Sequence, residues 1–408
     1  MTVKTQNDIS WLHRFIVVTV VATFLLLGSG GMVTSHEAGM SVPDWPNTYG
    51  YNMFLFPVSK WVGGVFYEHT HRLLASGIGF LTTVLAIWLW WREARVWMRW
   101  LGLLAFVLVA LQGVLGGLRV TLAMDKLGIV HGALAQLFFV LMCALALFTS
   151  RWWLNTGRDA LRRVQNVKIE AAPQRGPTNN LRWLVLATTI LIFLQLILGA
   201  TMRHQHAGLA IPDFPSAYGK IWPDTSAAAV AHYNADRMEI ISQNPISAFQ
   251  IILQMVHRIV ALAILVGVAI CGWMARRLGA PASLPASQAP GADTRRQDAG
   301  APGDGVPLQR RLSVFWLAMI VVQIGLGAAT IWSDKAADVA TAHVLVGALA
   351  LVTGAFWCVI AFGPSALAAP ASVPAGWAPD VVTRRQDAGA PGMSTATVGV
   401  HPAMVGNK

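Results

Sequence analysis

The chain has 408 residues, of which 55% are apolar and only 12% charged, with a mean hydropathy of +0.53. Soluble domains carry about 25% charged residues, so a single water-soluble globule is excluded, and disorder is excluded except locally. The formal net charge of +11 leaves two readings: a nucleic-acid partner, or basic loops that hold a membrane protein in one orientation.

A membrane span needs about 20 mostly apolar residues. In chain order, eight stretches qualify: 15–32, 73–91, 100–120, 128–148, 183–202, 251–274, 312–331 and 339–362. All have helical length; a β-barrel would alternate over roughly ten residues instead. The first run is long for a signal peptide and shows no obvious small-residue cleavage site before Ser35, so it reads as a helix. Cys143, Cys271 and Cys358 each lie inside an apolar run, where cysteine behaves as a small hydrophobe.

The linkers settle the meaning of the charge. Basic residues follow span 2 (Arg92, Arg95, Arg99), span 4 (seven, from Arg151 to Arg182) and span 6 (six, from Arg276 to Arg311). With Lys4, Arg14, Arg384, Arg385 and Lys408, that side holds 21 of the 30 basic residues against nine acidic ones, while the other side holds nine against ten. The positive-inside rule then puts both termini in the cytoplasm and loops 33–70 and 203–250 outside the plasma membrane, facing the periplasm in a Gram-negative cell. The partner implied is the lipid bilayer, not nucleic acid.

The expected organisation is an N-terminal four-helix half at 12–150, a cytoplasmic linker at 151–182, a C-terminal half at 183–362 and a disordered cytoplasmic tail at 363–408. The C-terminal half contains a low-complexity linker at 278–308, rich in Ala, Pro, Gly and Ser. The decapeptide TRRQDAGAPG occurs at 294–303 and again at 383–392 and reads as a duplicated linker without a packed core.

A second repeat relates the halves. The first outer loop contains Ala38-Gly39, Pro43-Asp44-Trp45-Pro46 and Tyr49-Gly50; the second contains Ala207-Gly208, Pro212-Asp213-Phe214-Pro215 and Tyr218-Gly219, each pair offset by 169. His71-Arg72 in span 2 matches His257-Arg258 in span 6, Gln112 and Gly116 in span 3 match Gln323 and Gly327 in span 7, and spans 4 and 8 carry His131 and His343. The expected fold is an all-α polytopic membrane protein whose eight transmembrane helices form two pseudo-symmetric four-helix bundles. Asp44 and Asp213 read as turn formers, and Trp88, Trp90, Trp91, Trp97 and Trp100 as an interfacial aromatic belt.

Ionisable residues inside spans are rare and usually functional. His71, His131 and His343 are expected within about the first turn of their spans, and His257 about two turns in. Zinc prefers four N, S or O ligands, and a proton relay uses carboxylates in series. A porphyrin is flat and apolar and takes one axial ligand from each face. Imidazoles from spans 2 and 4, and from spans 6 and 8, suit two hemes, with Arg72 and Arg258 as partners for propionates. The halves differ three residues before the first histidine, where one has Glu68 and the other Gln254. A carboxylate can take a proton or stabilise a cation, whereas an amide cannot. His69 is expected to face the loop, and His36, His204, His206 and His232 to be exposed.

The four repeated histidines, the string Glu68-His69-Thr70-His71-Arg72 and the paired Pro-Asp-aromatic-Pro loops resemble the heme A synthase family over residues 12 to about 362. The resemblance implies oxidation of the C8 methyl group of heme O to a formyl group through a hydroxymethyl intermediate, giving heme A for cytochrome oxidase. It implies a stable heme b on His257 and His343, a substrate heme O site at His71 and His131, and a functional Glu68. Heme O synthase and a membrane electron acceptor are the implied protein partners. Some members carry a cysteine pair in the outer loops; this chain has none there and resembles the cysteine-lacking class. Two rival readings stay open: a diheme membrane cytochrome b exchanging electrons with quinone, which does not explain Glu68 opposite Gln254, and a transporter, which fits poorly with spans nearly free of carboxylates.

Overall fold

The computed structural model describes residues 3–155, 179–236, 245–277 and 305–363. Eight long helices make up most of it: α1 Val3–Ser35, α2 Gly63–Arg92, α3 Val96–Thr121, α4 Asp125–Thr149, α5 Asn179–His204, α6 Ala248–Arg277, α7 Gly305–Trp332 and α8 Ala337–Phe362. Each is long and apolar enough to cross a membrane, and each contains one expected span. The chain is a multi-pass membrane protein. Among the described residues there is no strand, only two isolated bridges in the loops. Both copies of the repeated decapeptide, most of the linkers at 151–182 and 278–308, and the tail beyond Gly363 lie outside the described residues.

Neighbouring helices follow the same order in both halves. Helices α1, α2, α3 and α4 close into a ring with α1 against α4, and α5 to α8 close into another with α5 against α8. The rings join where α1 and α4 pack on α5 and α8. Lipid tails are as apolar as leucine, so close packing holds such helices together. The first ring packs Leu12, Ile16, Ile78, Leu85, Leu89, Met98, Phe138 and Met142, and the second packs Leu181, Val185, Val268, Cys271, Trp316 and Trp357. The joint is sealed by Phe139, Cys143, Ala348 and Val352 with Phe24 and Leu27. In the first ring the packed apolar residues lie toward the end away from the long loops, leaving the loop end to the histidines.

The helices outrun the hydrophobic spans at the loop end. Helix α2 begins at Gly63, ten residues before the apolar run at 73, and α6 begins at Ala248. Polar residues such as Glu68 and Arg72 lower the hydropathy there, yet they stay helical because the loop satisfies them. His71 is therefore about two turns into α2 rather than in its first turn, and His131 and His343 are nearly as deep in α4 and α8. All four histidines lie at closely similar depth. At the linkers, α5 already includes residues 179–182 and α7 residues 305–308, so both linkers are shorter than expected. The belt reading suits Trp90, Trp91, Trp97 and Trp100, which are exposed, whereas Trp88 turns inward onto Phe15, 5.6 Å away between ring centroids.

Candidate heme sites

Helices α2 and α4 lie on a diagonal of the first ring, and α6 and α8 on a diagonal of the second, so each histidine pair faces the middle of its own bundle. His71 and His131 are within Coulomb range of each other, as are His257 and His343. Each ring is backed by a glycine on an odd-numbered helix. A Cβ added at Gly30 of α1 would sit 3.1 Å from His71 Cε1, and one at Gly327 of α7 would sit 3.2 Å from His343 Cε1. At Gly116 of α3 and Gly199 of α5 the distance to His131 and His257 is 3.5 Å. The glycines make room for the imidazoles at four corresponding places.

Glutamines secure three of the four. Gln112 Nε2 donates to the His131 carbonyl at 3.1 Å, Gln195 Nε2 donates to the His257 carbonyl at 2.8 Å, and Gln323 Nε2 lies 3.4 Å from His343 Nε2. The counterpart of Gln195 on α1 is Leu26, which joins the apolar core instead. In all four histidines Nδ1 is buried with no hydrogen-bond partner. An unsatisfied buried nitrogen costs about 1–3 kcal/mol, and four of them at matching positions point to a missing partner. No group of three or more metal-binding side chains exists among the described residues, which argues against a tetrahedral zinc site. Two opposed imidazoles per bundle are a donor set that fits a porphyrin iron.

The repeated loops cover these pockets and are fastened alike. Asp44 accepts from the N–H groups of Tyr49 (2.7 Å) and Gly50 (2.8 Å); Asp213 accepts from Tyr218 (2.7 Å) and Gly219 (2.9 Å). Gly50 and Gly219 follow at φ +77° and +71°, a left-handed conformation that glycine tolerates without strain. Both aspartates form turns, as expected. Burial opposes the charge on Asp44, yet the Gly50 and Tyr49 amides outweigh it and hold its pKa below the ordinary value. Burial likewise opposes Asp213, and Gly219, Ser216 and Tyr218 outweigh it. Such carboxylates stabilise the loops fully above about pH 3.9 and lose that contribution as pH falls through the lowered values. Amide exchange at Tyr49, Gly50, Tyr218 and Gly219 is expected to stay slow into the ordinary aspartate range and to accelerate only below it.

Glu68 and Gln254 latch the two loops at the same point. Glu68 Oε2 accepts from the Val42 N–H at 2.9 Å, and Gln254 Oε1 accepts from the Ile211 N–H at 2.7 Å. Glu68 Oε1 also pairs with Arg72 at 2.6 Å. The arginines clamp the turns. Arg72 donates to the carbonyls of Asp44, Asn47 and Val42 at 2.7, 3.1 and 2.8 Å, and Arg258 donates to Asp213 and Ser216 at 2.7 and 2.8 Å. Arg258 keeps its Nε unpartnered. His69 faces the loop as expected, but it is fully buried, near Thr48 Oγ1 at 3.2 Å and against Phe56 and Trp61.

Two nearby residues were not anticipated. Arg119 of α3 and His204 of α5 both reach Gly128 on α4, where an added Cβ would meet the His204 ring and lie 3.1 Å from Arg119 Nε. His204 was expected to be an exposed loop histidine; it is the last residue of α5 and half-buried at the joint between the rings. The signal for Arg119 was present in its place three residues after Gly116, on the same face of α3.

A family model described as "Cytochrome oxidase assembly protein" (COX15-CtaA) matches residues 13–289. The chain belongs to this family. The matched region of this cytochrome oxidase assembly family runs from α1 through α6 and includes His71, His131, His257 and Glu68. The chain is 27% identical over 367 residues to the heme A synthase of Rhizorhabdus wittichii, covering 83% of this chain and 91% of that protein. It is 26% identical over 213 residues to the heme A synthase of Lysinibacillus sphaericus, 52% of this chain and 64% of that one. With the heme A synthase of Listeria monocytogenes it shares 30% identity over 137 residues, 32% of this chain and 42% of that one.

Proposed function

We propose that this chain is a heme A synthase, an oxidoreductase that converts the C8 methyl group of heme O to a formyl group through a hydroxymethyl intermediate, for cytochrome oxidase assembly. Family membership and the similarity to heme A synthases support the reading. One observation carries the division of labour between the halves. Among the described residues Glu68 is the only buried carboxylate, and it stands where the other half has Gln254. The latches match in geometry and differ in chemistry.

In this reading His257 and His343 hold a resident heme b, which supplies one-electron redox chemistry when bound. His71 and His131 hold the iron of the substrate heme O between α2 and α4. Two steps, methyl plus water to hydroxymethyl and hydroxymethyl to formyl, each remove two electrons, which pass to the membrane electron acceptor, and each release two protons. Glu68 is the buried base and counter-charge that the first half offers for the addition of water. Arg72 keeps the carboxylate oriented and the loop closed, and Arg258 adds its free Nε to a propionate while clamping its own loop. The first half spans 12–150 and the second 183–362. Both termini are cytoplasmic, the histidines lie toward the outer face of a bacterial plasma membrane, and heme O synthase and a membrane electron acceptor are the protein partners.

Heme extraction from the detergent-purified protein tests the reading. Heme b together with heme O or heme A supports it; heme b alone supports a diheme cytochrome b; no heme overturns both. The backing glycines give a further expected result. Gly327→Val would push the His343 ring out of place, and the resident heme absorbance per protein should fall severalfold, because small-to-large changes in packed sites cost about 1–3 kcal/mol. An unchanged spectrum would remove the glycines from the account.

A further inference from the structure

The first pocket carries a cation at a place where the second has none. Counting from the matched Gln112 and Gln323, the counterpart of Arg119 is Thr330, whose hydroxyl is spent on the Leu326 carbonyl at 2.8 Å. Arg119 lies three residues, about 4.5 Å of helix rise, nearer the loops than Gly116, the glycine that backs His131. It is within Coulomb range of both His71 and His131. Its side chain is 16% exposed, and its guanidinium is boxed in by Gly39 of the first loop and Gly128 of α4. Its one ion pair is long, 3.3 Å from Nη2 to Asp125 Oδ1, and Asp125 is 56% exposed. Nε is buried with no partner. Arg72, the other arginine at this pocket, donates four bonds to the first loop and to Glu68. A buried, incompletely satisfied guanidinium is a carboxylate receptor, since charge-assisted bonds to it are about twice as strong as neutral ones.

We propose that Arg119 binds a propionate carboxylate of the porphyrin in the first pocket and thereby orients it; the proposal rests on that pocket being the heme O site. The porphyrin enters with its acidic edge toward the loops. Held by Arg119 at that edge, the ring would be fixed in its rotation, and with it the methyl group presented to Glu68. The second pocket, with threonine in this place, lacks the contact.

The test compares heme O with its dimethyl ester, titrated into purified protein that keeps its second-half heme and followed by absorbance. The wild type should bind the diacid about tenfold more tightly than the diester, the size expected for one charge-assisted contact. Arg119→Gln should bring the two affinities together, with the resident heme spectrum unchanged. Asp125→Asn, which removes only the exposed ion-pair partner, should retain the wild-type preference. A preference that survives in Arg119→Gln, an equal weakening of both ligands, or a wild type that does not discriminate would each overturn the proposal. A wild type that binds neither ligand while holding its resident heme would instead refute the substrate site itself.

Discussion

Glu68→Gln is expected to leave the first loop latched and heme O bound while heme A formation falls by about 10²–10⁴-fold, the range for losing a positioned acid or base. The second half shows why the substitution is structurally mild. Gln254 makes the corresponding bond to the Ile211 N–H at 2.7 Å and adds weaker donations to the Gly208 and Ile211 carbonyls at 3.3 Å. A glutamine at 68 can accept from Val42 in the same way, so what it loses is charge and the ability to hold a proton. Glu68→Ala is a different experiment, because it strands Arg72 beside a hole, and breaking a buried pair costs about 3–5 kcal/mol. Loss of activity in both variants with heme O retained only in Glu68→Gln separates chemistry from architecture. Unchanged heme A formation in Glu68→Gln would sink the catalytic role.

The second large effect is expected at the resident site. His343→Ala and His257→Ala should each abolish the low-spin heme spectrum of the second half, because one remaining imidazole cannot supply both axial bonds. His71→Ala and His131→Ala should spare that spectrum and lose heme O. The assignments are read by which heme each variant loses on extraction. If a first-half variant emptied the resident site, or a second-half variant left it filled, the division between the halves would be wrong.

The fold was legible because a bilayer imposes a simple rule. A run of about 20 apolar residues has few alternatives to a helix, and each of the eight runs became one. The rule fails where polar residues are satisfied by a neighbouring loop, which is why the starts of α2 and α6, and with them the depth of His71, were misjudged. The histidines were visible as isolated titratable residues in apolar surroundings. Their glycine backing was half visible: Gly116 and Gly327 stand out in the repeat, while Gly30 and Gly199 look like ordinary small residues in apolar helices. The task of Arg72 could not be read from its position after His71, since hydrogen bonds to loop carbonyls depend on how the turn folds back. Arg119 has no repeat partner, since Thr330 stands in its place, so the internal repeat that marks the histidines does not mark it.

The two covers over the pockets also differ in what can undo them. The first is held in part by the ion pair of Glu68 with Arg72, whereas Gln254 holds its loop through neutral hydrogen bonds alone. The cover of the first bundle therefore leans on a charge pair, and that of the second does not. In the proposed function, the cover that leans on a charge pair is the one over the substrate pocket. Hydrogen exchange at the Val42 and Ile211 amides, in the wild type and in Glu68→Gln, would register how alike the two latches are: Val42 should stay protected in the variant, and Ile211 should be indifferent to it.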